Sequence, residues 1–101
     1  MEPILHSDNF RECLQTDFEL PSESGGSIAL KLADVQEAIN TAKVESFSLL
    51  FRGPMTPLLP QATYRLHHQK LGPIDIFLVP LGPEDGEMQY EAVFNRLRNR
   101  Q

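Results

Sequence analysis

Side chains able to act as nucleophiles, general bases or soft metal ligands are few in this sequence: His6, Cys13, His67 and His68. His67 and His68 are the closest pair. Adjacent residues on a strand project to opposite faces, so these two imidazoles diverge and cannot share one ion. A metal site would need His68 to meet His6 or a carboxylate brought in by the fold. Cys13 has no basic partner nearby in the sequence, and it falls on the apolar side of a short helical pattern with Phe10 and Leu14. A thiol in that setting reads as a small core side chain, because a nucleophilic cysteine needs a base or a positive field beside it.

The carboxylates give no stronger site. Asp17 and Glu19 stand two apart and share a strand face around Phe18, which is the solvent side. Paired acids do acid–base work only where a cleft drives their pKa values apart. Glu84-Asp85-Gly86-Glu87 is an acidic turn, without the run of oxygen ligands that a calcium loop needs. Gly25-Gly26 leads into a strand and not a helix, so it makes no phosphate cradle. No Gly-x-Ser-x-Gly elbow is present. The expectation is a protein that is not an enzyme and uses no cofactor or metal.

A scaffold can be read from the alternation of apolar and polar residues. Ser7 to Leu14 reads as a short helix, with Ser7 or Asn9 as its cap and Asn9 with Glu12 at capping-box spacing. Phe18 and Leu20 form a short strand that Pro21 ends. Ile28, Leu30 and Leu32 point one way and Ala29, Lys31 and Ala33 the other, followed by a helical turn over Asp34–Thr41. Phe47, Leu49 and Phe51 repeat the alternation. Gly53 to Pro60 carries three prolines and must be a loop. Ala62, Tyr64, Leu66 and His68 alternate again, and Leu71-Gly72-Pro73 is a turn. Ile74 to Leu81 is apolar on both faces, as a strand covered on both sides would be. Asp85-Gly86 is a hairpin signal, after which Met88, Tyr90, Ala92 and Phe94 return as a closing strand.

The result is a mainly β domain: five to six short antiparallel strands in hairpin-like order, folded into a small barrel or a two-layer sheet with one N-terminal helix. One domain covers residues 1–95, and 96–101 form a basic tail. The 101 residues suffice for a single core. Up to residue 95, six basic side chains stand against all fourteen acids, and the last six residues carry three arginines. An acidic body argues against nucleic acid as a partner. No apolar run is long enough to span a membrane as a helix. With one cysteine and no signal-like N-terminus, the expected location is cytoplasmic.

Four segments carry a recognisable pattern: Phe47-Ser48-Leu49-Leu50-Phe51-Arg52-Gly53-Pro54, Leu59-Pro60-Gln61-Ala62-Thr63-Tyr64, Ile76-Phe77-Leu78-Val79-Pro80 and Tyr90-Glu91-Ala92-Val93-Phe94-Asn95. In order and spacing they resemble a family of small bacterial proteins known as a domain of unknown function. The resemblance implies a compact stand-alone domain. It brings no catalytic residue, and at most an accessory or assembly role beside phage-tail-like fibre or collar proteins.

The polar members of these motifs invite a structural role: Arg52 pairing with Glu91 across the sheet, Gln61 bonding loop carbonyls, and Asn95 with Glu91 on the outer face. Arg52, Gln61, Tyr64 and Glu91 would otherwise line a shared binding surface beside the loop. Met55, Leu58 and Leu59 are apolar residues in an expected surface loop, and so the candidate contact for a protein partner or a second copy. The competing expectation is a small-ligand pocket near Tyr64, His68 and Tyr90. Against it, a barrel of so few strands fills its interior with its own side chains.

Overall fold

A computed structural model describes residues 5–22 and 25–97. One helix, α1 (Ser7–Arg11), precedes six strands: β1 (Asp17–Pro21), β2 (Ser27–Asn40), β3 (Val44–Gly53), β4 (Ala62–His68), β5 (Gly72–Glu84) and β6 (Glu87–Leu97). All ladders are antiparallel and close into a barrel of order β1-β2-β3-β6-β5-β4. Among the described residues no helix is long and apolar enough to cross a membrane.

The strand order departs from a simple run of hairpins. β3 does not neighbour β4; it pairs along its whole length with β6, Val44 with Leu97 through to Gly53 with Met88. The segment after Gly53 therefore passes over one barrel mouth before β4 begins. β6 also runs two residues past the expected domain end, and the Arg96 guanidinium lies over the rings of Phe47 and Phe94. Residues 98–101 of the expected basic tail lie outside the described residues.

The helical turn expected over Asp34–Thr41 is strand instead. β2 stays paired with β3 out to Asn40, with bulges between Leu32 and Asp34 and between Glu37 and Ile39. The first bulge shifts the alternation by one, so that Leu32 and Val35 both face inward. That phase slip removes the period-two signal, and a long ladder outweighs the helical leaning of Gln36-Glu37-Ala38. The turns follow their sequence more closely. Asp85 and Gly86 both take positive φ, 53° and 80°, as a two-residue primed turn requires.

Phe18, Leu30, Leu32, Phe47, Leu49, Phe51, Leu66, Ile76, Leu78, Tyr90 and Ala92 fill the interior. Gly53 has a packing reason: a Cβ there would sit 2.5 Å from the Leu30 side chain. α1 closes one mouth with Phe10, whose ring lies 5.9 Å from Phe47 and 5.7 Å from Phe94. Its entry differs from expectation, since Asn9 is the third helical residue and its side chain accepts the His6 N–H at 2.7 Å. The helix ends at Arg11, and Leu14 turns outward.

The Pro-rich loop closes the other mouth. Leu59 inserts into the core, its N–H donating to the Tyr90 hydroxyl at 3.0 Å, and the Tyr64 hydroxyl donates to the Pro60 carbonyl at 2.6 Å. Tyr90→Phe removes one buried bond and strands the Leu59 amide, an expected loss of about 1–2 kcal/mol. Urea unfolding should show a lower midpoint with an unchanged sheet signal.

Candidate functional site

The strand alternation separates the two histidines as expected: His67 is exposed and His68 is buried. The fold also supplies what the sequence did not show, for it brings His68 from β4 against Cys13 and Thr16 beside the helix. Cys13 Sγ lies 3.9 Å from His68 Nδ1, a pairing that superficially has the make-up of a thiol–imidazole dyad.

The hydrogen bonds exclude that chemistry. His68 Nδ1 accepts the backbone N–H groups of Lys70 (3.0 Å) and Leu71 (3.2 Å). It must therefore be the unprotonated nitrogen, and its lone pair is already engaged. The proton sits on Nε2 and is donated to Thr16 Oγ1 at 2.8 Å, while Thr16 in turn donates to the Cys13 carbonyl. Burial and, secondarily, the Lys70 charge lower the His68 pKa, and burial raises that of the Cys13 thiol. A reactive pair needs the opposite shifts, a thiolate beside an imidazolium. His68 instead acts as a buried peg that holds the β4–β5 turn onto the residues after α1.

Around this peg an open groove of about 910 Å³ runs between the start of β1 and the end of β4. Glu12, Asp17, Glu19, His67 and Lys70 line it. It exists because only one residue pair, Glu19 with His67, registers between β1 and β4. Glu12 and Lys70 bridge it with an ion pair at 3.0 Å. Among the described residues no three His, Cys, Asp or Glu side chains are placed to hold a metal ion.

The residues of the expected ligand pocket, Tyr64, His68 and Tyr90, are not gathered at one place. Tyr64 and Tyr90 anchor the Pro-rich loop at one mouth, whereas His68 serves the turn at the other. The polar cluster is also rearranged. Arg52 pairs with Glu84 (2.8 Å) and Glu87 (3.5 Å) on the β5–β6 hairpin, not with Glu91. Glu91 sits opposite Leu50 and Val79, and Asn95 accepts the Ser46 hydroxyl. The recorded side-chain bonds that hold the loop come from Tyr64 and Tyr90 rather than from Gln61, which is exposed. Of the three loop candidates only Met55 and Leu58 are exposed; Leu59 belongs to the core.

The larger apolar surface lies elsewhere. β5 was expected to be covered on both faces, but its outer face is open: Phe77 is 49% and Leu81 52% exposed, with Val93 of β6 at 57%. Val79 pairs with Glu91, and Phe77 and Val93 each lie two residues farther toward the α1 mouth, so they fall on the same stretch of wall. Ion pairs flank this stretch, Arg65 with Asp75 on one side and Arg52 with Glu84 and Glu87 on the other.

Residues 5–94 match a family described as Domain of unknown function (DUF6916). The chain belongs to the DUF6916 family. No curated protein and no solved structure matches it. The matched span of this DUF6916 domain takes in α1, five complete strands and most of β6.

Proposed function

We propose that the domain is an interaction module that docks a protein partner through the outer wall of β5 and β6. The observation that carries this is the open apolar face of Phe77, Leu81 and Val93, large side chains held in water by a rigid barrel. Met55 and Leu58 of the loop add further exposed apolar surface. The interior offers no competing role, since side chains fill it and α1 and Leu59 close its two mouths. The His68 imidazole beside the Cys13 thiol is occupied in holding a turn. An accessory role beside larger assembly proteins is a function of this kind.

Phe77→Ser with Val93→Ser tests the proposal. Both positions are about half exposed, so thermal stability should stay within a few degrees of wild type. Photocrosslinking from position 63, the exposed ladder neighbour of Phe77, in the native host should capture a discrete protein, and the double variant should lose it. Sedimentation over a concentration series shows whether that protein is a second copy. If wild type stays monomeric and crosslinks to nothing above the level of the variant, the wall is not a docking surface.

A further inference from the structure

We infer that α1 is an acid-released plug, clamped onto the barrel mouth by the buried carboxylate of Glu45. Glu45 faces inward on β3 in phase with Phe47, and it is 1% exposed. Its carboxylate accepts the His6 Nδ1–H at 2.7 Å and the Ser7 backbone N–H at 3.2 Å. Both donors belong to the first turn of α1 and the residue before it. A charge so completely withdrawn from water is held where it is by such bonds, and it makes them strong in return.

Other charged groups face the clamp from each packed element. On β2, Glu37 accepts the Ser7 hydroxyl and pairs with Arg11, which also pairs with Asp8 within α1. On β6, Arg96 stands opposite Glu45 in the ladder. All of these are more exposed than Glu45. His6 presents its Nδ1 to this carboxylate. Protonation of Glu45 removes the negative charge that both donors favour. The clamp is therefore present while Glu45 is ionised and is lost as falling pH protonates the carboxylate.

Beyond the clamp, α1 is held by the fully buried Phe10 ring among Phe18, Phe47 and Phe94 and by the Arg11–Glu37 pair. The helix has five residues, too few to persist alone, and Ser7 and Phe10 are its buried members. Its release uncovers Phe47 and Phe94, whose rings stack at 4.9 Å across the mouth. The barrel ladders do not involve α1 and remain.

Amide exchange of the full chain, corrected for intrinsic rate, tests this between pH 7 and about pH 4. Residues 10–13 should lose protection by roughly tenfold more than residues 47–51, with dye binding to the exposed rings and an unchanged far-ultraviolet sheet signal. Glu45→Gln should show the released state already at pH 7 and respond no further to acid. Loss of protection in α1 and β3 together at every pH overturns the inference, as does a Glu45→Gln variant that protects α1 like wild type. If that variant does not fold, the wild-type titration decides on the same criterion.

Discussion

Phe51→Ala should destabilise the protein by about 3–5 kcal/mol, the range for emptying a buried aromatic site. Phe51 is fully buried near the end of β3, where its ladder neighbours are Leu32 and Tyr90. The Phe18 ring meets it edge-on at 5.3 Å. These neighbours belong to strands of a closed barrel, so they cannot collapse into the vacated space without shifting a ladder. Domains of this size carry about 5–15 kcal/mol in total, so the variant should lose much of its margin. Calorimetry should record a melting point lower by roughly 15–30 °C. A fall of only a few degrees would mean that the interior is less tightly packed than described.

His68→Ala should cost about 2–4 kcal/mol, for a different reason. The imidazole serves the N–H groups of Lys70 and Leu71 and the Thr16 hydroxyl, and removing it leaves partly buried donors without their acceptor. The same residue predicts a pH dependence. Burial lowers the folded-state pKa of His68 below its ordinary value of about 6.5. The unfolded chain therefore takes up this proton first as pH falls. The stabilisation is complete above about pH 6.5 and is lost as pH drops toward the folded value. Denaturant titrations from pH 8 to pH 5.5 should show wild type weakening on the acid side, with that component missing in His68→Ala. An identical slope in both proteins would remove His68 as its source.

The legible parts of this molecule are those governed by local alternation. The inward sets Leu30 and Leu32, Phe47 to Phe51, Leu66 and His68, and Met88 to Ala92 could each be read from a period of two, and so could the divergence of His67 from His68. The Asp85-Gly86 turn was equally plain, because its backbone demand is met within two residues. What stayed hidden depends on distant pairing. Nothing near Val44–Gly53 announces that its partner is Glu87–Leu97, and the bulges of β2 erase the alternation that would have marked it as one long strand. Leu59, flanked by proline, looked like a surface residue, yet the Tyr90 hydroxyl draws its backbone inward.

At the candidate sites the division is the same. The meeting of Cys13 with His68 joins residues 55 apart in sequence, and no local pattern points to it. Glu45 was discoverable, since it stands two residues before Phe47 in the same phase, which places a carboxylate on the core face. A charge at an inward position is a signal worth following even when the strand around it looks ordinary. The open wall of β5 was misjudged because alternation fails when both faces are apolar, and apolar content alone does not tell a covered strand from one that meets a partner.

The antiparallel match of β3 with β6 bears on how the chain is made. Residues 44–53 are synthesised well before their ladder partners at 88–97. Until those partners appear, Phe47, Leu49 and Phe51 lie on a ribbon with one side unpaired, the state in which nascent strands associate wrongly. Contacts this distant along the chain also place the domain among the slower small folders. Its yield in a cell will therefore depend on how well those three side chains are shielded during translation.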